Sequence, residues 1–183
     1  MDQKELIPGA YTDHKAVALQ LGREPTIPFR VAARCPAGLP SVIENERSRK
    51  MPTSFWVTCP TLSAAISRVE AAGGVRAAQE EIGTKAVDEI HAEHLRRYGT
   101  RVAGVGGPGG YVKCLHAFTA LHLAGTLLNP VAEWTLARIE NPYADPTRCP
   151  SCTNTRSERS SYYTPPGSGF FPSPPTKPIN KAN

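Results

Sequence analysis

Three things are missing from this 183-residue sequence. There is no apolar run long enough to cross a bilayer. The most apolar stretch, "AFTALHLAGTLL", is interrupted by His122 and falls short of the roughly 20 residues that a spanning helix requires. There is no Walker sequence, because Gly110 and Tyr111 stand where that motif needs Lys and Ser or Thr. Before Cys149 there is also no pair of cysteines at Cys-x-x-Cys spacing, the usual mark of a zinc ribbon. The opening, "MDQKELIPGAYTDHK", lacks the apolar centre of a secretory signal, so a cytoplasmic location is expected.

Charge excludes little but narrows the field. Lys and Arg exceed Asp and Glu by five, and three of those excess charges lie from Asn141 onward. The rest of the chain is nearly balanced, so nucleic-acid binding through a basic stripe is not expected. The basic C-terminal part suits only weak, salt-sensitive attraction to polyanions. Five cysteines, an odd number, in a chain without an export signal point to reduced thiols rather than a disulfide framework.

Periodicity predicts an α+β domain over residues 1–140. A helix through "HKAVALQL" ends at Gly22. In "IPFRVAARCP", Phe29, Val31 and Ala33 alternate with Arg30, Ala32 and Arg34, the pattern of a half-buried strand. "SVIEN" and "SFWVTC" make two further strands, giving a small antiparallel three-stranded sheet. The helical half follows in "PTLSAAISRVEAA", "VRAAQEEI", "AVDEIHAEHLRRY", "YVKCLHAFTALHLAG" and "VAEWTLARI". Beyond Asn141, half of the chain's 18 prolines are mixed with Ser, Thr and Gly. That composition buries too little apolar surface to offset chain entropy, so residues 141–183 are expected to form a disordered tail.

The chemistry gathers on cysteine. Cys35 and Cys59 each end a predicted strand and precede a proline, which favours extended geometry at the cysteine. Cys59 also falls at a helix N-cap, and Cys114 lies near a helix start beside Lys113, positions that lower a thiol's pKa. In a meander the first and third strands run the same way, so Cys35 and Cys59 leave one end of the sheet about 9–10 Å apart. With His116 they make a set of Cys35, Cys59, Cys114 and His116, whose donors suit zinc or an iron–sulfur cluster. Three readings stay open: buried structural thiols, a metal site with a structural or redox-sensing role, and a thiol enzyme. In the last, Cys59 or Cys114 attacks and His116 is the base.

The other candidates are plainer. The loop "GVGGPGG", with Lys113 and Arg101 nearby, could cradle an anion, or could simply connect two helices. His91 and His94 suit a half-solvated helix face, and His122 suits a core position. "CPSC" at 149–152 is half of a zinc ribbon without its second half.

Taken together, "RCPAGLPSVIE", "PTSFWVTCPTLSAAISRVEAAGG" and "YVKCLHAFTALHLAG…NP" resemble the actinobacterial domain-of-unknown-function family numbered five hundred and one, over about residues 14–131. The family's Cys-Pro-x-Gly-x-Pro element falls on Cys35, Pro36, Gly38 and Pro40. Its Thr-Cys-Pro falls on Thr58 to Pro60 and its Lys-Cys-Leu-His on Lys113 to His116. The loop before the third strand departs from the family's Asp-Gly-Thr-Pro-Phe-Pro-Thr, keeping only "MPTSF". The resemblance implies a bacterial cytoplasmic protein without an assigned activity. Members are often encoded beside a septum-formation protein and an exopolyphosphatase, which implies a protein partner in cell division or polyphosphate metabolism.

Overall fold

The computed structural model describes residues 10–46, 53–104, 109–143 and 145–150. Helix α1 (Ala10–Leu21) precedes an antiparallel sheet of β1 (Phe29–Arg34), β2 (Pro40–Asn45) and β3 (Phe55–Val57), in the order β1-β2-β3. Then come α2 (Pro60–Ala71), α3 (Gly74–Ile82), α4 (Thr84–Tyr98), α5 (Leu115–Leu123) and α6 (Pro130–Leu136). This is the α+β architecture that the periodicity predicts. None of the described helices is long and apolar enough to cross a membrane.

The middle strand β2 is buried along most of its length, with Val42 and Ile43 in the core. Ile43 lies opposite Val31 of β1 and Trp56 of β3, so the alternation read in β1 sets its register. In α2, Pro60 occupies the first turn and the stripe of Leu62, Ala65 and Ile66 turns inward. Helix α5 differs because "LHAFTALHL" has no continuous polar face. Leu115, Ala117, Phe118, Thr119, Ala120 and Leu121 are all buried, and α5 packs on β3, α2 and α6. Asn129 caps α6 through its Oδ1, which accepts from the Ala132 N–H at 2.8 Å. Its amide also donates to the Phe118 carbonyl at 3.1 Å, fixing the cap to α5.

Helix α5 begins at Leu115, four residues later than the sequence pattern starts, and Cys114 is its N-cap in extended geometry. The segment before it presses on α4. A Cβ placed on Gly110 would sit 2.1 Å from the Thr84 carbonyl oxygen and 2.4 Å from the Asp88 nitrogen, so only glycine permits this approach. Residues 105–108 of the glycine loop lie outside the described residues.

His91 and His94 do not form a solvated face, as expected from the sequence, but are buried at 0% and 3% exposure. Hydrogen bonds make this tolerable. His91 Nε2 donates to the Tyr111 carbonyl at 2.9 Å, and His94 Nδ1 to the Thr100 carbonyl at 2.6 Å. Phe118 packs edge-on against the His91 ring.

Packing also continues beyond the boundary expected at residue 140. Tyr143 lies against both the main core and a small cluster of Ala16, Cys35 and Leu39. The Asp145 carbonyl accepts from Thr61 Oγ1 at 2.8 Å, and Cys149 is 1% exposed. The composition that reads as a tail is therefore packed on the domain as far as Cys149. Residues 151–183, where the rest of the expected disorder falls, lie outside the described residues.

Two expected outcomes follow from this packing. A chain ending at Ala144 should melt several degrees below one ending at Pro150, because roughly 1 kcal/mol shifts the midpoint of a domain this size by about 2–8 °C. Equal midpoints by circular dichroism would mean that the 145–150 contacts contribute nothing. The second outcome concerns acid. Burial pushes the pKa of His91 and His94 down, against the opposing pull of their carbonyl partners. Unfolded histidine titrates near 6.5, so below that pH the unfolded chain binds protons that the fold refuses. Stability is complete above about pH 6.5 and is lost as pH falls toward the lowered folded values. Urea midpoints measured from pH 7.5 to 5.5 should fall, and fall less in His91→Gln. An identical slope in that variant would assign the acid sensitivity elsewhere.

Candidate functional site

One end of the sheet collects three cysteines. β1 ends at Arg34, and Cys35 opens a tight turn in which the Gly38 N–H donates to the Cys35 carbonyl at 2.8 Å. The Cys35 N–H in turn donates to the Leu39 carbonyl at 2.8 Å, and Gly38 takes the left-handed conformation that the turn demands (φ +76°). β3 leaves the sheet at the same end. The Ser41 carbonyl accepts the Thr58 N–H at 2.9 Å and the Cys59 N–H at 3.4 Å, which holds Cys59 beside the start of β2.

The third cysteine is Cys149, carried back to this end by the segment after α6. Gln20 ties it in: its Nε2 donates to the Pro40 carbonyl at 2.8 Å and lies 3.9 Å from Cys149 Sγ. Cys149 and Cys35 both lie close enough to Cys59 to act on its charge, and Tyr143 feels Cys59 and Cys35 in the same way. The Gln20 Oε1 and Thr58 Oγ1 atoms, shielded from solvent here, have no hydrogen-bond partner among the described residues.

At the N-terminus of α2, two effects act on Cys59 in opposite directions. Its sulfur makes no capping hydrogen bond by strict geometry, yet the Leu62 and Thr61 N–H groups face it and favour a thiolate. Burial disfavours the charge more strongly, and the pKa of Cys59 is raised. The sequence expectation of a lowered pKa is overturned here by desolvation. Cys114 behaves alike: burial raises its pKa, Glu70 adds to the rise, and the Ala117 N–H and Lys113 oppose it.

Cys114 and His116 belong to a different place. Glu70, near the end of α2, accepts the Leu115 N–H at 2.5 Å and lies 3.2 Å from His116 Nδ1. His116 Nε2 reaches the Ser63 carbonyl at 3.1 Å and stands 3.4 Å from the hydroxyls of Ser63 and Ser67. Cys59 and Glu70 bracket α2, whose rise of about 1.5 Å per residue sets them roughly 16 Å apart along its axis. Cys114 lies by Glu70 at the far end. The structure thus brings Cys35 and Cys59 together, adds Cys149, and builds Cys114 and His116 into the α2–α5 junction. Among the described residues, no group of three or more His, Cys, Asp or Glu side chains is arranged to hold an ion.

Lys113 is engaged as well, since its Nζ donates to the Ala103 carbonyl at 3.3 Å. Arg101 pairs with Asp88 and donates to the Gly109 carbonyl at 3.0 Å. Both cations expected at an anion nest are tied to the loop's own framework. The sequence reading noted Cys149 in "CPSC" but left it outside the candidate set, because it lies in a proline-rich stretch with no periodicity. The Cys-x-x-Cys spacing was the available signal.

The junction generates its own expected outcome. Glu70→Ala removes the acceptor for the first turn of α5 and should cost about 1–2 kcal/mol in urea unfolding, the usual range for a lost cap. A cost under about 0.3 kcal/mol would show that water replaces the carboxylate.

Residues 31–101 match the family model described as a protein of unknown function (DUF501). That span runs from β1 through α4 and includes both Cys-Pro elements. No curated protein and no solved structure matches the chain.

Proposed function

We propose that this chain, whose residues 31–101 are a DUF501 family domain, works through a thiol centre at the sheet end built from Cys35, Cys59 and Cys149. Its role is structural and thiol-sensing: the state of these sulfurs sets whether the segment after α6 stays seated on the sheet. The observation that carries the reading is Cys149, brought from the far end of the described chain to 1% exposure near Cys59, which Cys35 also adjoins. Of the set Cys35, Cys59, Cys114 and His116, the first two remain in this reading. Cys114 and His116 serve the packing of α2 on α5.

The thiol-enzyme reading loses its support from electrostatics. A nucleophilic cysteine is activated by a lowered pKa or an adjacent base, whereas burial raises both Cys59 and Cys114. Such sulfurs are protected until something opens their cover, which is what a sensor of bound or released segment requires.

Maleimide labelling of the folded, reduced chain followed by mass spectrometry tests this. Cys35, Cys59 and Cys149 should label slowly, and Cys149→Ser should speed the labelling of Cys35 and Cys59 at least tenfold. Unchanged rates in the variant would mean that the segment does not cover the other two thiols, and the centre would not exist.

A further inference from the structure

Resting on that thiol centre, we infer that Cys59 and Cys149 are a disulfide-forming pair. A low-molecular-weight disulfide oxidises them, and the bond that results locks the segment after α6 onto the start of α2. Both thiols are free here. Cys59 immediately precedes α2, and Cys149 immediately follows the short turn Pro146–Arg148, which packs against α2. Thr61 Oγ1, in the first turn of α2, donates to the Asp145 carbonyl at 2.8 Å and pins the two elements together close to both cysteines. A second tie runs through the start of β2. Gln20 Nε2 donates to the Pro40 carbonyl at 2.8 Å and lies 3.9 Å from Cys149 Sγ. The next carbonyl, that of Ser41, accepts the Cys59 N–H at 3.4 Å. Two separate sets of contacts thus carry Cys59 and Cys149 to one place. Cys35 is the poorer partner, because it sits in its own small cluster with Ala16 and Leu39, whereas Cys59 belongs to the main core.

Burial keeps Cys59 protonated and unreactive, so the reaction begins when the segment lifts locally. Solvent then reaches Cys59, and the facing Leu62 and Thr61 N–H groups favour its thiolate. That thiolate attacks one sulfur of the oxidant, the oxidant's S–S bond breaks, and one small thiolate leaves. When the segment reseats, Cys149, beside the Gln20 amide, gives up its proton and attacks the Cys59 sulfur of the mixed disulfide. The Cys59–Cys149 bond forms as the second small thiolate departs. Each leaving thiolate takes up one proton. Two electrons and two protons therefore pass from the protein thiols to the oxidant, which leaves as two thiols. The new bond closes the chain between the two cysteines, which removes unfolded conformations and holds the segment down.

The test incubates the full reduced chain with oxidised glutathione under native conditions. Peptide mapping by mass spectrometry should find Cys59 joined to Cys149 in a chain two hydrogens lighter, and dithiothreitol should reverse both changes. Trypsin cleavage after Arg148 should be at least tenfold slower in the oxidised chain than in the reduced one. Cys59→Ser and Cys149→Ser should lose the bridge, whereas Cys35→Ser, Cys114→Ser and Cys152→Ser should form it as the parent does. A parent chain that gives only mixed disulfides, or that joins either cysteine to Cys35 or Cys152 instead, overturns the pairing whatever the variants do. Equal trypsin rates overturn the lock. Maleimide labelling separates this from the reading beneath it. If Cys149→Ser speeds the labelling of Cys35 and Cys59 but the parent forms no Cys59–Cys149 bond, the thiol centre stands and the disulfide fails. If Cys149→Ser leaves labelling unchanged, the centre itself fails and takes the basis of the pairing with it.

Discussion

A mostly apolar helix must be covered over most of its surface, and α5 is that helix, with only His116, His122 and Leu123 half-buried. With Leu115, Phe118 and Leu121 wholly buried, it takes β3, α2 and α6 around itself as cover. Enclosure makes the start of α5 expensive, because unpaired N–H groups there cannot reach water. At the start, the Glu70 carboxylate meets the Leu115 N–H. Beyond the other end, Asn129 binds the Phe118 carbonyl and starts α6 with its own side chain. The helices on either side are therefore placed by what α5 needs. The sheet is in turn held with its strand ends facing the returning chain.

Local patterns made the elements legible. Val31 and Ile43 pair across β1 and β2 as alternation predicts, and Pro60 opens α2 where a Cys-Pro boundary places it. What sequence spacing does not encode is depth. His91 and His94 sit three apart among acidic and basic neighbours and read as a solvated stripe. They are nonetheless buried, with the Tyr111 carbonyl as partner for His91 and the Thr100 carbonyl for His94. The same blindness left the third sulfur outside the candidate set. Cys149 is surrounded by residues with neither helical nor strand period, and its burial depends on tertiary contacts with Gln20 and Cys59.

Cys59 shows why a helix N-terminus is an incomplete guide to reactivity. Field and desolvation act on one atom with opposite sign, and here enclosure by the core outweighs the facing N–H groups. The expected pairing of Cys59 with Cys114 failed for a simpler reason of length, since a twelve-residue helix lies between their neighbourhoods. Cys35 and Cys59, by contrast, were readable as neighbours because a meander forces alternate strands to leave the same way.

The contact between Gln20 and Cys149 joins positions 129 residues apart. Closing so large a loop is slow in proportion to the chain entropy it removes, so this contact belongs late in folding. Synthesis proceeds from the N-terminus, which adds a second delay, because the sheet and α1 to α6 precede Cys149 on the growing chain. The two earlier cysteines thus wait uncovered until the last described residues arrive. A chain that stops before Cys149 can complete the sheet and α1 to α6 and still display bare sulfur at the sheet end, so the seal marks whether synthesis has passed that residue.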